Sequence, residues 1–182
     1  PALPRDAAVD LLLRRQPATR SGRGLAPVET GADAEPDRIS AVVASLLDLD
    51  HSYLAVQGPP GTGKTYLGSR VIARLVAEHG WRIGVVAQGH ATVEHMLDTV
   101  VAAGLPPAQV AKAARQGEEH AESTALRQYT VLPNGSKSLG AYTASQVGGY
   151  VIGGTAWDFS DPARVGRREL DLLVIDEAGQ FS

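Results

Sequence analysis

The residues with the clearest chemical pattern lie between positions 57 and 65, where the chain reads QGPPGTGKT. Gly58 is followed, after four residues, by Gly63, Lys64 and Thr65, which is the spacing of a phosphate-binding loop. Glycines allow consecutive backbone N–H groups to converge on phosphate oxygens. Lys64 carries the charge that reaches the β- and γ-phosphates, and Thr65 carries a hydroxyl for Mg²⁺. The pattern therefore predicts a nucleoside triphosphate site.

The alternative interpretation of this stretch is an ordinary turn rich in Gly and Pro. Few such turns carry Lys and Thr at these positions between an apolar run and an amphipathic helix, here YLAV and YLGSRVIARLVAEHG. We therefore favour the phosphate-binding loop. The residues that we expect to bind the nucleotide are Gly58, Pro59, Pro60, Gly61, Thr62, Gly63, Lys64, Thr65 and Tyr66.

A second group of chemically capable residues ends the apolar run LLVI, which continues into Asp176 and Glu177. At the carboxyl end of a buried parallel strand, Asp176 is suited to hold Mg²⁺ and Glu177 to act as general base on the attacking water. Gln180, three residues further on, is placed to sense the γ-phosphate. Alternatively, the two acids begin a surface loop and Gln180 is a surface amide. The phosphate-binding loop in the same chain favours the catalytic interpretation.

The elements that must position these residues alternate along the chain. Apolar residues at helical spacing predict helices, and short apolar runs predict buried strands. In chain order we expect a helix in PDRISAVVASLLDL, a strand in YLAV, a helix over 64–79, a strand in RIGVVAQ, a helix over 91–103, a helix in PAQVAKAARQGEEHAES, and strands in GYVIGGTAWDFS and ELDLLVIDEAGQ. This alternation predicts an α/β fold, a doubly wound parallel sheet flanked by helices.

The domain organisation follows from a change in composition near residue 36. Residues 1–35 contain a short helical pattern, DAAVDLLLRR, and then a segment rich in Pro, Gly, Ala and charge, which predicts an N-terminal helix and linker. Residues 36–182 are expected to form the nucleotide-binding domain, with the stretch 105–148 interpreted as an insertion. Because the chain starts with Pro and ends just after a strand motif, we expect it to be part of a longer protein.

Composition limits the partners and the compartment. A chain of 182 residues, 43% of them hydrophobic, is long enough for one sizeable core. The formal net charge of −3 gives no global attraction to nucleic acid, although a local basic face remains open. The chain has no Cys, so disulfides and thiolate metal sites are excluded. No apolar run approaches the roughly 20 residues that span a bilayer, so we expect no membrane partner and a cytoplasmic location.

Several stretches together resemble superfamily 1 helicases. QGPPGTGKT and DEAGQ resemble motifs I and II of the group that includes the nonsense-decay helicases and the Dna-two-type nuclease-helicases. VVAQGHATVEHML, residues 85–97, resembles motif Ia, and VIGGTAWDFS resembles the short strand that precedes motif II. The run GTAW upstream of DEAGQ is also similar to bacterial RecB-like nucleases fused to such a helicase.

This resemblance implies a RecA-like P-loop ATPase fold and a motor function. The chain would be the first RecA-like domain, which uses ATP and Mg²⁺ to move on single-stranded DNA or RNA together with a second RecA-like domain of the same parent chain. Motifs III to VI, including the arginines of that second domain, are not in this sequence. These residues alone are therefore expected to bind nucleotide and to hydrolyse it poorly.

Individual residues match the family motifs. Those in motifs I and II are Lys64, Thr65, Asp176, Glu177 and Gln180. The resemblance implies that His90 and Thr92 in motif Ia and Thr155 in the GT stretch contact the nucleic-acid backbone. Two departures are Gly89, where the family usually has Ser, and the absence of Gln from residues 36–50, where the family reads the adenine edge. Selectivity for ATP is therefore an expectation from the resemblance.

Structural alternatives exist for the candidate nucleic-acid residues. His90 could satisfy only the N-terminal amides of its helix, and Thr155 could be a buried strand hydroxyl. Trp157 and Phe159 could stack on a base, but aromatic residues of this kind are more often part of a core, and we expect core positions for both.

Two other functions remain open. The same phosphate-binding loop occurs in AAA+ ATPases, although there the acidic strand follows sooner and a Gln after DEAG is not expected. A nucleotide-responsive binding module that never translocates is the other alternative. A nuclease site would need a tight cluster of carboxylates and Lys at another strand end. The sequence shows no such cluster, so we expect no nuclease site within these residues.

Overall fold

A computed structural model describes residues 6–30, 36–59, 61–115, 127–135 and 137–180. The chain divides into two compact units, Pro1–Val71 and Ile72–Ser182. Pro60, which we expect to contact nucleotide, and residues 116–126 of the stretch interpreted as an insertion lie outside the described residues. The predicted domain boundary at residue 35 stays a prediction.

Helices and strands alternate through most of the chain. The helices are α1 (Ala7–Leu12), α2 (Arg38–Asp48), α3 (Lys64–His79), α4 (His90–Ala102), α5 (Ser138–Ser145) and α6 (Ala156–Ser160). The strands are β1 (Arg82–Val86), β2 (Val110–Ala113), β3 (Thr130–Leu132), β4 (Tyr150–Gly154) and β5 (Leu172–Ile175). Among the described residues, the short 3₁₀ turn Pro107–Gln109 precedes β2, and the 3₁₀ turn Ala178–Gln180 follows β5.

In the first unit, the N-terminal segment is hydrogen-bonded to α2 and to the residues that follow it. The backbone N–H of Arg20 donates to the carbonyl of Asp48 at 2.7 Å, and the N–H of Asp50 donates to the carbonyl of Ala18 at 2.9 Å. Asp10 of α1 is buried, and its carboxylate accepts a hydrogen bond of 2.9 Å from the Ser52 hydroxyl. These contacts tie the region before residue 30 to the segment that leads into the phosphate-binding loop.

The second unit is built on a parallel sheet with the strand order β3-β2-β4-β1-β5. Parallel strands need helical crossovers, and α4 and α5 supply helical segments between successive strands. The predicted α/β fold, a RecA-like parallel sheet flanked by helices, is confirmed. The stretch 105–148 contributes β2, β3 and α5 to this unit.

Two predicted elements are wrong. The run YLAV, residues 53–56, forms no strand. A strand requires a neighbour for its N–H and C=O groups, and in the described part of the chain no strand pairs with this run. The start of PAQVAKAARQ is a 3₁₀ turn followed by β2 rather than a helix, because β2 is paired on both sides and tertiary pairing overrides the helix propensity of Ala and Gln.

Helix α4 packs closely on one face of the sheet. Val93 and Leu97 of α4 are fully buried, and a Cβ built on Gly153 of β4 would lie 2.7 Å from Val93 Cγ1 and 2.6 Å from Leu97 Cδ1. Only a glycine at this position leaves room for the helix. A separate buried cluster, packed by α5 and the segment after β4, contains Ala111, Leu139, Tyr142, Tyr150, Ile152 and Val165.

We predict that Gly153→Ala lowers the free energy of unfolding by about 1–3 kcal/mol, because the added methyl group overpacks the contact with α4. Gly140→Ala is the matched control. Gly140 lies inside α5, and a Cβ at this position would meet no described atom within 4 Å, so alanine is expected to be neutral or stabilising there. Urea unfolding monitored by circular dichroism measures both changes. Equal stability of Gly153→Ala and the unmodified chain would contradict the packing described.

Candidate functional site

The phosphate-binding loop precedes α3 and contains two glycines in the left-handed backbone region. Gly61 has a φ of +78° and Gly63 a φ of +81°, values that a residue with a side chain adopts only with strain. A Cβ on Gly58 would lie 2.8 Å from the Thr62 hydroxyl oxygen. The glycine positions of the motif are thus required by the conformation of the loop.

Lys64 is the first residue of α3, and its side chain folds back over the loop. Its ammonium donates to the carbonyl oxygens of Gly58 at 2.7 Å and Pro59 at 2.9 Å. The Thr62 hydroxyl also donates to the Pro59 carbonyl, at 2.8 Å. The loop therefore holds the positive charge of its own lysine beside its backbone, at the start of a helix of 16 residues whose dipole also favours an anion there.

Thr65 and Tyr66 occupy the first turn of α3. Thr65 is half-buried, whereas the Tyr66 ring is 57% exposed. The Arg70 guanidinium carbon lies 4.3 Å from the centroid of the Tyr66 ring, a cation–π contact. The predicted contact of Tyr66 with nucleotide stays a prediction.

The acidic residues after β5 form one tight turn. The backbone N–H of Asp176 donates to the Val86 carbonyl at 2.9 Å, which extends the pairing with β1 by one residue. The Asp176 carboxylate accepts from the N–H of Glu177 at 2.9 Å, and the Glu177 carbonyl accepts from the N–H of Gln180 at 2.8 Å. Asp176, Glu177 and Gln180 therefore lie together beyond the carboxyl end of β5.

Glu177 has a φ of +52°, in the left-handed region that costs a residue with a side chain about 1–3 kcal/mol. Arg14, His51 and Arg168 share this property, so the backbone outlier alone does not identify a site. The Glu177 side chain is exposed, whereas Asp176 is half-buried. An exposed carboxylate is accessible to a water molecule and to substrate.

The two motifs belong to different units. Lys64 and Thr65 lie in Pro1–Val71, and the residues of the acidic turn lie in Ile72–Ser182. Their joint use of one Mg²⁺-bound nucleotide therefore stays a prediction. Across the described ranges, no three side chains of His, Asp or Glu form a metal cluster. A Mg²⁺ bound with a nucleotide needs few protein ligands, because phosphate oxygens and water complete its octahedron.

The candidate nucleic-acid residues of the second unit follow neighbouring strands. Because β1 and β4 are parallel partners, with Val86 opposite Gly154, the residues after them lie at the same edge of the sheet. His90 starts α4 after β1, and Thr155 follows β4 directly. The sheet therefore brings these two residues to one edge, with the acidic turn after β5 on the other side of β1.

The His90 Nδ1 atom does not accept a hydrogen bond from the N-terminal backbone amides of α4. The N-cap of α4 is Gly89, which makes no side-chain hydrogen bond, and the His90 Nδ1 atom is buried without a partner among the described residues. Burial lowers the pKa of His90, and the nearby charges of Lys112 and Arg115 lower it further. The imidazole is therefore neutral at pH 7. Thr92, in the same first turn, is half-buried.

Thr155 has a structural partner. Its backbone N–H and its hydroxyl both donate to Asp158 Oδ2, at 2.8 Å and 2.9 Å. The Asp158 carboxylate also accepts a hydrogen bond of 2.7 Å from Arg164 Nη1. The Thr155 hydroxyl proton is thus engaged in starting α6, and contact of its oxygen with nucleic acid stays a prediction.

The expected core position of Trp157 is wrong, whereas that of Phe159 is confirmed. Trp157 is 85% exposed on α6, and Phe159 is half-buried against the cluster around Ile152. Residues two apart on a helix point in different directions, so α6 buries one aromatic ring and exposes the other.

A buried ion-pair cluster next to His90 was not predicted from the sequence. Glu94 of α4 and Lys112 of β2 are both 3% exposed, and the Glu94 carboxylate lies 3.3 Å from Lys112, 3.0 Å from Arg115 and 2.7 Å from Arg127. Burial raises the pKa of Glu94, but the three cations outweigh burial and the pKa is lowered. Two features of the sequence could have predicted this cluster: a Glu within the apolar face of α4, and a Lys within an apolar strand.

We predict that Glu94→Gln lowers the free energy of unfolding at pH 7 by about 3 kcal/mol, because it leaves Lys112 buried without its carboxylate. Since the pKa of Glu94 is lowered by folding, its contribution is present above pH 4.5, its ordinary pKa, and is lost as the pH falls below that value. The variant should therefore lose less stability in acid than the unmodified chain.

Urea unfolding between pH 3 and pH 7 measures this dependence, with about 0.5 kcal/mol or less expected for the exposed control Glu78→Gln. Glu78 is paired with Arg74 at 3.1 Å on the surface of α3. Equal effects of the two substitutions would contradict the assigned importance of the buried cluster.

In the described part of the chain, no helix combines the length and the apolar character needed to cross a membrane.

Comparison with known proteins places the chain in a family. The model of a family described as "AAA domain" matches residues 39–182. Regulator of nonsense transcripts 1 of Caenorhabditis elegans is 29% identical over 85 residues, which are 47% of this chain and 8% of that protein. The chain thus spans a small part of the length of this relative. No solved structure gives a significant match. The two matches support the predicted superfamily 1 helicase-like, RecA-like P-loop domain, and the chain belongs to the AAA domain family.

Proposed function

We propose that this chain is the first motor domain of a superfamily 1 helicase, which couples hydrolysis of Mg-ATP to movement along single-stranded DNA or RNA. The observation that carries the proposal is the phosphate-binding loop. Its glycines at positions 61 and 63 have left-handed backbones. Lys64, the first residue of a long helix, places its ammonium 2.7 Å from the Gly58 carbonyl oxygen. Such a loop binds phosphate oxygens through backbone N–H groups.

Different residues of this chain are assigned to binding of the nucleotide and to its hydrolysis. We assign Lys64 to the β- and γ-phosphate oxygens, and the Thr65 hydroxyl and Asp176 carboxylate to Mg²⁺. Bound Mg-ATP supplies the phosphoanhydride bond whose hydrolysis releases free energy. Glu177 accepts the proton of the attacking water, and Gln180, in the same turn, senses the γ-phosphate.

Contact with nucleic acid is assigned to the edge of the sheet that carries His90, Thr92 and Thr155. Contacts with the sugar-phosphate backbone hold a strand in place without reading its sequence. The likeness to a regulator of nonsense transcripts supports RNA as a partner, and the resemblance of the motifs to superfamily 1 helicases supports DNA as well. A second RecA-like domain of the parent chain completes the motor in this proposal, and these 182 residues alone hydrolyse ATP weakly.

The setting of the motor is inferred from the sequence alone. The GTAW run supports a parent chain of the RecB-like nuclease-helicase type, and the composition supports a cytoplasmic location. A P-loop ATPase that does not translocate is the second candidate function, because the matching family is described by its AAA domain alone.

We predict that Lys64→Ala weakens binding of Mg-ATP by more than about 10-fold, since a hydrogen bond to a charged group contributes about 1.5–3 kcal/mol. Isothermal titration calorimetry measures the change. Lys137→Ala is the control, because Lys137 is an exposed lysine before α5 in the other unit. Tight binding of Mg-ATP by the Lys64 variant would rule out the nucleotide site.

We also predict that, in the longer parent chain, Glu177→Gln leaves Mg-ATP binding intact and reduces turnover by about 100-fold or more, the usual loss when a general base is removed. Phosphate release under nucleic-acid stimulation is the measurement, and Glu78→Gln is the control. Unchanged turnover in the Glu177 variant would remove this residue from the base role, while binding of Mg-ATP would still stand.

A further inference from the structure

The side chain of Trp157, on α6, is largely uncovered. Its side chain is 85% exposed, more than that of Tyr66, at 57%, which is the other aromatic side chain exposed among the described residues. A tryptophan buries about 150–250 Å² when it is covered, so an uncovered indole leaves a large favourable contact unused. Tryptophan is enriched at binding interfaces, where its ring is covered by a partner.

The helix that carries Trp157 is fixed to the rest of its unit. Phe159, two residues along, lies so close to β1 that a Cβ on Gly84 would be 2.6 Å from its ring. Asp158, between the two aromatic residues, holds Thr155 at 2.8 Å and Arg164 at 2.7 Å. The indole is therefore presented on a rigid base, which reduces the conformational entropy lost on binding.

Trp157 stands at the edge of the sheet that also carries His90 and Thr155. Helix α6 follows β4, and α4 follows β1, the parallel neighbour of β4. Neighbouring strands are about 4.8 Å apart, so α6 begins beside the segment that leads from β1 to α4. A strand held there by its phosphates would have a flat aromatic surface beside its bases.

The surroundings of Trp157 favour a nucleobase over an apolar protein partner. Its neighbours on the surface of α6, Ala156 and Ser160, are small. The other large apolar side chains exposed in the described part of this unit are Val147, Leu173 and Ile175. Val147 precedes β4, at the opposite edge, and the other two belong to β5, with β1 between β5 and β4. An isolated aromatic ring among polar groups suits stacking on a base.

We propose that Trp157 is a stacking platform for one base of the single strand. The proposal rests on the proposed nucleic-acid function and adds a contact with a base to contacts with the backbone. Stacking uses the π-face that every base has, so the platform binds without a strong sequence preference. No covalent step is involved.

The first test compares the affinity of an unstructured oligothymidylate for the unmodified chain and for Trp157→Ala, by fluorescence anisotropy of a labelled strand. We expect the Kd to rise by about 5- to 150-fold, the range for losing one base–aromatic stack. Trp157→Phe, which keeps an aromatic ring, should retain most of the affinity. Binding of Mg-ATP, measured on each variant, confirms that the variants are folded.

The matched control is the other tryptophan, Trp81. It precedes β1, so it lies at the opposite edge of the sheet, where its carbonyl accepts from the N–H of Tyr150 at 3.2 Å. Trp81→Phe should leave the affinity for the strand unchanged. Because the chain has two tryptophans, this variant also makes Trp157 the single indole emitter. We expect the strand to quench emission in Trp81→Phe and to leave it unchanged in Trp157→Phe.

Two further measurements separate stacking from a phosphate contact. An abasic strand keeps its phosphates but has no bases, so Trp157→Ala should bind it as well as the unmodified chain does. The slope of log K against log salt concentration counts phosphate contacts, at about 0.7 per contact for single strands, and should be unchanged by Trp157→Ala.

The outcomes distinguish the platform from the function on which it rests. Unchanged affinity in Trp157→Ala, or a reduced salt slope, would overturn the platform and leave the nucleic-acid function in place. Emission from Trp157 that does not respond to a bound strand would also overturn the platform, as expected if a protein segment covers it. Failure of the unmodified chain to bind any strand would overturn both proposals.

Discussion

Parallel pairing of β1 with β4 and β5 is the constraint on which the second unit depends. In a parallel sheet all carboxyl ends meet at one edge, and there the residues that follow each strand share a surface. The register Val86 opposite Gly154 and Ile175 brings the segments of His90, Thr155 and Asp176 to this edge. A change of register or direction in one strand would separate them, although their sequence would be unchanged.

The carboxyl end of the sheet carries buried charged side chains, whose removal from water costs free energy, together with side chains that stay exposed to solvent. Glu94 and Lys112 are buried as charges, and their burial is tolerable because Glu94 pairs with Lys112, Arg115 and Arg127. The Asp158 carboxylate likewise has both oxygens engaged. Such contacts fix α4 and α6, so Trp157 is exposed on a helix that is itself held in place. Glu177 is exposed in a turn that is held by the hydrogen bond from the Asp176 N–H to the Val86 carbonyl of β1. The rigid part of the site thus explains how the exposed part keeps its geometry.

The sequence predicted the parts of this protein that local chemistry determines. Motif spacing identified the phosphate-binding loop, in which Gly61 and Gly63 have left-handed backbones. Periodicity identified α2, α3, α4 and the strands at β1, β4 and β5. The failures depended on distant partners. Residues 53–56 are apolar but have no strand beside them among the described residues. Strand β2 forms because β3 and β4 pair with it. The Glu94 cluster joins side chains that are far apart in sequence. The exposure of Trp157 depends on which side of a five-residue helix faces the sheet, which no pattern in so short a segment determines.

The most direct test of the proposed motor function is the rate of ATP hydrolysis with and without single-stranded DNA or RNA. It should be measured on the longest natural form of the chain and, under the same conditions, on these 182 residues. We expect strong stimulation of the longer form by a single strand and a low rate, with or without the strand, for the 182 residues. A rate in the longer form that responds to neither DNA nor RNA would contradict a nucleic-acid motor and favour an ATPase that does not translocate.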